Sequence, residues 1–259
     1  MEPIKSLTQG GISVRNIKLI IEYDGTNYSG WQIQKNGPSI QEELQKVLRT
    51  ITGEECNVNG SGRTDAGVHA TGQVANFRTS SRMPADRFAY ALNSMLPKDI
   101  TIKASIEAEA DFHARFSAIG KCYRYKIFNS RFPSALLRNY AYYINYCDKL
   151  DMNRLRSAAD CFTGTHDFSG FMSTGSSVED TVRTIYKIDV EKNEAMIEIC
   201  FEGNGFLYNM VRIIVGTLIY TGIGKIAVPE MPDIIRSKDR SRAGITAPAH
   251  GLYLEKVLY

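Results

Sequence analysis

A single carboxylate stands in a basic, glycine-rich stretch of the chain. Asp65, in the segment GSGRTDAGVH at residues 60 to 69, is the only Asp or Glu between residues 56 and 85, where Arg63, Arg78 and Arg82 also lie. Neighbouring arginines favour the ionised form of a carboxylate, which can then act as a nucleophile or as a general base. An aspartate beside glycine is also a common turn residue, so the stretch by itself leaves both interpretations open.

The glycines of this stretch would let the backbone approach a ligand closely. They are Gly60, Gly62, Gly67 and Gly72. Two phosphate-binding signatures use such glycines. The first, G-x-x-x-x-G-K-[ST], is absent. The second, G-x-G-x-x-G at the start of a helix, is represented only by its G-x-G, without the third glycine or the helix. We therefore do not expect a nucleotide-binding loop here.

A second stretch, residues 112 to 147, combines positive charge with aromatic rings and contains no Asp or Glu. Its cations are Arg115, Lys121, Arg124, Lys126, Arg131 and Arg138. Cations neutralise phosphates and rings stack on exposed bases, so the composition favours RNA or another single strand as partner. An amphipathic strand with a solvated basic face would give the same composition. A further basic cluster, Arg236, Lys238, Arg240 and Arg242, favours an anionic partner.

Length and composition indicate the broad class. With 259 residues, 43% of them hydrophobic, the chain is long enough for one large domain or two smaller ones. The five cysteines form no C-x-x-C pair and the four histidines lack metal-ligand spacing, so we expect reduced thiols, a cytoplasmic protein and no metal. The most apolar stretch, FLYNMVRIIVGTLIY, is shorter than the roughly 20 residues that span a bilayer, so no membrane role is expected.

Hydrophobic periodicity predicts alternating element types. The first half is expected to form strand, helix, strand, helix and strand at residues 17–23, 40–51, 73–77, 88–96 and 100–106. Ser39 and Glu42 form a capping box at the start of the first helix. The second half is expected to form a strand at 121–129, a helix at 152–162, a hairpin around 192–193, a helix at about 207–221 and a final strand, LYLEKVL. These short elements predict an α+β fold with a mostly antiparallel sheet, not a doubly wound parallel one.

The chain is divided on this pattern into an N-terminal extension (residues 1–14), an N-terminal α+β half with the Asp65 loop (15–110) and a C-terminal α+β half (111–259). No Pro-, Gly- or Ser-rich linker and no low-complexity segment separates the halves.

Six segments together resemble the tRNA pseudouridine synthase A (TruA) family. They are, in order, GRTDAGVHATGQVANF (62–77), DFHARFSA (111–118), YRYKIFN (123–129), GTHDFSGF (164–171), GNGFLYNMVRIIVGTL (203–218) and APAHGLYL (247–254). The resemblance implies the pseudouridine-synthase fold, in which two similar α+β halves with mostly antiparallel sheets join around a central basic cleft. It also implies isomerisation of uridine to pseudouridine in the anticodon stem-loop of tRNA (positions 38, 39 and 40) by a homodimer, without cofactor or metal.

The resemblance carries specific roles to individual residues. Asp65 matches the catalytic aspartate, and Arg63 matches an arginine that helps to open the RNA and fills the space left by the flipped base. Tyr123 matches the aromatic residue that stacks on the target uracil, and Arg212 matches the basic residue that pairs with the aspartate. The further RNA contacts that we expect are Arg78, Arg82, Arg115, Lys121 and Arg124.

Physical chemistry supports these roles but leaves alternatives. The target base must leave the stack before its glycosidic bond can be broken and re-formed. Arg212 lies on an otherwise apolar helix, where it could extend its head group to water, although a buried guanidinium needs a partner such as Asp65. Tyr123 could be an ordinary core aromatic. A non-catalytic RNA-binding protein on the same scaffold, or the same chemistry on another RNA, would preserve many of these features.

Three residues depart from the family pattern. Gly205 and Tyr208 replace the usual small and histidine-like residues, and His250 stands where a carboxylate is frequent. None of the three carries the chemistry, so the departures bear on the choice of target site.

Overall fold

The computed structural model describes residues 14–175 and 178–259, so all of the predicted N-terminal extension except Val14 lies outside the described residues. The chain forms two compact units. Among the described residues, the first contains residues 14–66 together with Ala70–Ala118, and the second contains Gly67–His69 together with residues 119–175 and 178–259. The predicted domain boundary between residues 110 and 111 stays a prediction.

The first unit has a small antiparallel sheet and two helices. Its elements are β1 (Arg15–Tyr23), α1 (Ile40–Thr52), β2 (Asn59–Gly60), β3 (His69–Thr79), α2 (Arg87–Asn93) and β4 (Ile100–Ala108), with a short 3-10 turn at Gly25–Asn27. The first residue of β3, His69, belongs to the second unit. The strand order is β4, β1, β3, and β2 pairs with β3. The strand–helix–strand–helix–strand order expected from the periodicity is confirmed, except that the two-residue strand β2 was not predicted.

The first helix begins at the predicted cap. The Ser39 side chain accepts a hydrogen bond from the Glu42 backbone N–H (3.3 Å), and the helix ends at Gly53, whose φ of 74° is a left-handed conformation that glycine adopts readily. Ile40, Leu44 and other residues of one face are fully buried, as expected for an amphipathic helix on a sheet.

One predicted strand face is interrupted by a β-bulge. Ile20 pairs with Ala104 but Ile21 pairs with Ile102, so one residue of β4 is left unpaired. Because side chains alternate along a strand, the extra residue exchanges the two faces beyond it. Ser105 is therefore buried and Ile106 is 49% exposed, whereas strict alternation along the strand predicted at residues 100–106 would place Ile106 on the same face as Ile100 and Ile102.

The second unit has a larger sheet packed with helices. Its elements are β5 (Gly120–Asn129), β6 (Tyr142–Ile144), α3 (Met152–Asp160), β7 (Gly164–Asp167), β8 (Val182–Asn193), β9 (Met196–Gly203), α4 (Met210–Gly222), α5 (Met231–Ser237) and β10 (Leu252–Leu258). Short 3-10 turns lie at Ser169–Phe171, Val228–Glu230, Arg240–Arg242 and Ala249–Gly251. The strand order β10, β5, β9, β8, β7 is antiparallel throughout, and β6 pairs in parallel with β5. The protein is thus α+β with mostly antiparallel pairing, as predicted.

The apolar helix predicted at residues 207–221 begins three residues later, at Met210. Asn209 precedes it with a φ of 61°, a left-handed conformation that cannot belong to an α-helix. Most of α4 is fully buried. Its only charged side chain, Arg212, therefore needs an explanation beyond packing.

Two glycines allow the chain after α5 to lie directly against the backbone of α4. A Cβ atom at Gly216 would lie 1.8 Å from the Ile245 carbonyl oxygen, and one at Gly244 would lie 2.5 Å from the Gly216 carbonyl carbon. The Gly244 N–H donates to the Thr217 hydroxyl (2.8 Å), which fixes the register of the approach. This contact carries the following residues, including Ala247, to the first turn of α4.

No helix among the described residues is long and apolar enough to cross a membrane.

Replacing Gly216 tests the close approach. We expect Gly216→Ala to lower the free energy of unfolding by about 1–2 kcal/mol overall, because the methyl group would overlap the Ile245 backbone. The intrinsic preference of a helix for alanine over glycine, about 1 kcal/mol, opposes this effect. Chemical denaturation would measure it. Gly205→Ala is the matched control, since the nearest atom to a Cβ there is in a flexible arginine side chain at 3.6 Å. Equal stability of the two variants would contradict the proposed packing.

Candidate active site

Asp65 lies in the loop that leads into β3. The preceding residue, Thr64, is held by hydrogen bonds to both its backbone and its side chain. The Thr64 carbonyl accepts a hydrogen bond from the Trp31 N–H (3.1 Å), and the Thr64 hydroxyl shares one with the Tyr23 hydroxyl (2.7 Å). Thr64 is buried, whereas Arg63 is exposed and Asp65 is partly exposed. The loop thus fixes its backbone at residue 64 and leaves the neighbouring charged side chains accessible.

A close backbone approach supports this anchor. Gly30 has a φ of 103°, and a Cβ atom there would lie 2.4 Å from the Thr64 carbonyl oxygen and 3.1 Å from the Asp65 carbonyl carbon. Only glycine fits both the conformation and the contact. Gly60 is also required, because a Cβ there would lie 2.4 Å from the Trp31 ring. At least this glycine of the loop serves the packing of the protein itself, and not the approach of a ligand.

A buried glutamine organises the other end of the loop. The Gln73 side chain accepts hydrogen bonds from the Ser61 hydroxyl (2.6 Å) and the Val74 N–H (3.1 Å), and it donates to the Gly62 carbonyl (3.1 Å). Gln73 and Ser61 are fully buried. Burial raises the pKa of the nearby Tyr23 phenol, so its hydroxyl stays protonated, although its hydrogen bonds with Thr64 and Gln73 oppose the shift. The side chains of this network, those of Tyr23, Thr64, Gln73 and Ser61, are therefore all uncharged.

Beyond Asp65 the chain is held by aromatic contacts within the second unit. The His69 ring stacks on Tyr253 (centroids 4.8 Å apart, planes 25° apart), and its Nε2 is 2.9 Å from the Asn139 carbonyl oxygen. The Tyr253 hydroxyl donates to the Tyr140 carbonyl (2.7 Å). His69 is buried, and these contacts give its ring a structural role.

Tyr123 lies in the middle of the larger sheet. It pairs with Leu254 of β10 and Phe201 of β9, and it is 8% exposed. Phe206 meets its ring edge-on, with centroids 5.2 Å apart and planes 84° apart. A ring fixed by two strands and an aromatic neighbour is pre-oriented and loses little freedom when a flat ligand stacks on it.

Arg212 lies in the first turn of α4 and is half-buried. Its Nε donates to the Ala247 carbonyl (2.7 Å), its Nη1 donates to the Asn209 side-chain oxygen (2.5 Å), and its own carbonyl accepts from the Ala247 N–H (3.1 Å). These bonds fix the guanidinium in place. The alternative in which Arg212 simply extends into water does not account for them. Its predicted pairing with Asp65 stays a prediction.

The segment that contacts Arg212 is supported by Tyr125. The Tyr125 hydroxyl donates to the Pro248 carbonyl (2.7 Å), and a Cβ at Gly251 would lie 2.6 Å from the Tyr125 ring. Burial raises the pKa of Tyr125, and the positive charge of Arg212 opposes that shift. Tyr125 is two residues from Tyr123 on the same buried face of β5.

The other predicted RNA contacts differ in accessibility. Arg78, Arg82 and Arg115 are exposed, and Lys121 is partly exposed. Arg124 forms ion pairs with Glu255 (2.7 Å) and Glu198 (2.5 Å), and these carboxylates raise its pKa. This environment favours a structural role for Arg124 in the sheet over a contact with phosphate.

The basic cluster at residues 236 to 242 is largely engaged locally. Lys238 lies 2.7 Å from the Asp167 carboxylate and, with Thr181, holds the pKa of that carboxyl well below its usual range. Arg240 donates to the Gly244 carbonyl (2.8 Å) and Arg236 pairs with Asp233. The cluster therefore provides less available positive charge than its sequence suggested.

Several positioning residues were not identified from the sequence. They are Gly30, Trp31, Gln73 and Ala247. A signal existed for Gln73, since a glutamine inside the predicted strand QVANF needs a hydrogen-bond partner when it is buried. The contacts of Gly30 and Ala247 join residues far apart in the chain, and no local pattern predicts them. In the part of the chain that the structure describes, no group of three or more His, Cys, Asp or Glu could hold a metal ion.

Comparisons with known proteins identify the family. A family model described as tRNA pseudouridine synthase matches residues 19–117 and 158–259. The chain belongs to the tRNA pseudouridine synthase family, whose members are isomerases that convert uridine to pseudouridine.

Within that family, the similar proteins are named tRNA pseudouridine synthase A. The one from Acetivibrio thermocellus is 56% identical over 246 residues, which cover 95% of this chain and 100% of that protein. Those from Thermoanaerobacter pseudethanolicus and Ruminiclostridium cellulolyticum are each 53% identical over 95% of this chain and 100% of their own length. The resemblance to the TruA family is therefore confirmed.

The charge on His250 gives a test of the electrostatics of this region. Burial lowers the pKa of His250, and the positive charges of His69 and Arg212 lower it further, whereas a hydrogen bond with the Ala141 backbone raises it. Because the folded-state pKa lies below the unfolded value of about 6.5, the stability associated with the neutral ring is full above about pH 6.5 and is lost as the pH falls.

We expect the free energy of unfolding of the unmodified protein to fall more steeply than that of His250→Gln between about pH 7 and about pH 5. Chemical denaturation at several pH values would measure both slopes. His166→Gln, in the same unit, controls for the removal of a histidine. Parallel curves for the unmodified protein and His250→Gln would show that the environment of His250 is not as described.

Proposed function

We propose that this protein isomerises uridine to pseudouridine in the anticodon stem-loop of tRNA, at positions 38, 39 and 40, with Asp65 as the essential residue. The observation that supports Asp65 is the anchoring of its loop. Thr64 is held by Trp31 and Tyr23, while the adjacent carboxylate remains partly exposed. An ordinary turn aspartate would not need a buried hydrogen-bond network and a left-handed glycine behind it.

The chemistry requires a carboxylate, a flat binding surface and positive charge. The C–N bond between uracil and ribose breaks, the base turns over while bound, and a C–C bond forms between uracil carbon 5 and the sugar. Asp65 acts in one of two ways in this proposal, either as a nucleophile at uracil carbon 6 or sugar carbon 1′, or as the base that removes a sugar proton. Both routes need the ionised carboxylate.

Tyr123 and Arg212 are proposed as the contributions of the second unit. A uracil that has left the stack needs an aromatic surface, and Tyr123 is a ring fixed by two strands and Phe206. Arg212 is the cation that the resemblance assigns to Asp65, and its hydrogen bonds to Ala247 and Asn209 hold it in one orientation. A fixed charge stabilises an ionised partner without reorganising during the reaction.

The remaining cations are proposed to bind the RNA backbone. Arg63 is exposed two residues before Asp65, where the resemblance assigns it to the space left by the flipped base. Phosphates can reach four further cations, Arg78, Arg82, Arg115 and Lys121. Each phosphate that a cation neutralises adds to the affinity for RNA. Arg124 is the weakest member of the predicted set because two carboxylates already bind it. As a tRNA enzyme, the protein would act in the cytoplasm.

The decisive experiment is replacement of Asp65. We expect Asp65→Ala and Asp65→Asn to lower pseudouridine formation by about 10⁴-fold or more, because the residue that makes or breaks bonds is removed. Tritium release from tRNA labelled at uracil carbon 5 measures turnover. Folding and tRNA affinity should remain nearly unchanged, as measured by thermal unfolding and filter binding.

Asp86→Asn is the matched control, since Asp86 is another carboxylate of the first unit and lies exposed at the start of α2. It should retain full turnover. Substantial turnover by the Asp65 variants would remove the catalytic proposal. Tight tRNA binding without turnover by the unmodified protein would instead indicate a non-catalytic RNA-binding protein.

We also propose a homodimer, as the resemblance implies. Light scattering should give a mass twice that of the chain, unchanged on dilution through the micromolar range. A mass equal to one chain under the conditions of the turnover assay would contradict the dimer without affecting the role of Asp65.

A further inference from the structure

A loop of the first unit, residues 112 to 117, is held from below by two buried asparagines. Asn16 donates to the Phe112 carbonyl (2.8 Å) and to the Glu109 carbonyl (2.9 Å), and Asn76 accepts from the Ala114 N–H (2.9 Å). Asn76 also donates to the Asn16 side-chain oxygen (2.9 Å), and both residues are buried. The base of the loop is thus fixed to β1 and β3.

The tip of the loop is ordered by its own hydrogen bonds. The His113 Nδ1 accepts from the backbone N–H groups of Arg115 (3.1 Å) and Phe116 (3.4 Å). The Ser117 N–H donates to the His113 carbonyl (2.9 Å), and the Ser117 hydroxyl accepts from the His113 N–H (3.0 Å). Ala114 is fully buried between these residues. The backbone conformation at Phe116 is therefore set before any ligand binds.

This ordered loop presents an aromatic ring to solvent. Phe116 is 76% exposed, with the His113 ring 4.4 Å from its centroid and the Arg115 guanidinium 5.5 Å from it. Burying a phenylalanine side chain is normally favourable by about 2–3 kcal/mol, so the loop forgoes that stabilisation while holding the ring in place. An exposed, pre-ordered aromatic with a cation beside it is typical of surfaces that stack on nucleobases.

The charges near the loop include both signs. Lys18 lies over the Phe112 ring at 5.0 Å, and Arg78 donates to the Ala110 carbonyl (3.0 Å). The exposed carboxylates of Glu109 and Asp111 lie on the same connection. Positive charge is in modest excess once Arg115 is included. A small excess of positive charge is sufficient to contact one base and the phosphate next to it. It is too small for an extended basic surface that follows an RNA backbone.

We propose that Phe116 is a stacking platform for an unpaired nucleobase of the substrate RNA, with Arg115 contacting the phosphate beside that base. The inference rests on the proposed function only in taking RNA as the substrate. It adds a positioning residue that takes no part in bond making or breaking. Base stacking recognises any of the four bases, so this contact would place the RNA without reading its sequence.

A fluorescence experiment tests the stacking without turnover. The protein has a single tryptophan, Trp31, which is 3% exposed, so an added exposed tryptophan has a distinguishable emission. In full-length Asp65→Asn protein, Phe116→Trp should show saturable quenching on titration with tRNA. The midpoint should match the tRNA affinity measured by filter binding.

Tyr90→Trp is the matched control in the same background. Tyr90 is 69% exposed on α2 with the Arg87 guanidinium 5.4 Å from its ring centroid, so it is a similar aromatic–arginine pair without the buried asparagine anchor. We expect little quenching there. Equal quenching at both positions, or none at Phe116→Trp while tRNA binds, would overturn the proposal.

Kinetics give a second readout in the otherwise unmodified protein. Phe116→Ala should raise KM for tRNA by about 5- to 150-fold with kcat nearly unchanged, as expected for loss of one stacked base. Phe116→Tyr should restore KM, because it keeps the ring. An unchanged KM in Phe116→Ala would reject the platform. Loss of thermal stability in parallel with KM would show a structural role, or a contact with a protein surface, instead.

If the unmodified protein binds tRNA but shows no turnover, the fluorescence titration of Phe116→Trp still tests the role of Phe116. If turnover is present and Phe116→Trp is not quenched, only the stacking inference fails. The two proposals are therefore tested separately.

Discussion

The position of Asp65 depends on the hydrogen bonds that Thr64 makes to residues far away in the chain. Its carbonyl is bound by the Trp31 N–H and its hydroxyl by Tyr23. These bonds form inside a packed unit, where an unsatisfied polar group costs about 1–3 kcal/mol. The hydrogen bonds continue from Tyr23 to Gln73 and from Gln73 to Ser61, so the position of each side chain constrains that of the next. Among the described residues, no buried side-chain nitrogen or oxygen lacks a hydrogen-bond partner. A network that is fully satisfied admits few alternative loop conformations, which is what a reacting carboxylate requires.

The second unit places Arg212 by a different means. A charged side chain in the first turn of a nearly buried helix would be costly without fixed partners. Gly216 and Gly244 remove the side chains that would separate α4 from the segment that follows α5, and Ala247 then reaches the guanidinium. Tyr125 supports the same segment through Pro248. The Ala247 carbonyl and the Asn209 side-chain oxygen, both uncharged, thereby hold the guanidinium in one orientation.

Much of this could be predicted from the sequence, because some features depend on local pattern. The strand at β1, the Ser39 cap of α1 and the final strand β10 follow from periodicity and capping residues that lie close together in the chain. The face of Ile106 could not be predicted, since the bulge depends on how β4 pairs with β1. The same limit applies to the site. Asp65 is conspicuous as a lone acid, whereas Gly30 and Ala247 act through contacts across the fold. The role of Asp65 in the reaction remains a prediction, drawn from the family resemblance and consistent with its anchored loop.

The basic, aromatic stretch from residue 112 to 147 shows why composition alone cannot separate binding from packing. Arg124 and Arg115 have the same charge and similar neighbours in the sequence. Arg124 is on a central strand between Glu198 and Glu255, so its charge is used inside the sheet. Arg115 is exposed beside an exposed ring on a loop anchored by Asn16 and Asn76. A side chain is available to a ligand when the surrounding backbone has its hydrogen bonds within the fold and the side chain itself is not used in packing or ion pairs. By that criterion the loop at Phe116, and not the strand at Arg124, is where this stretch would meet RNA.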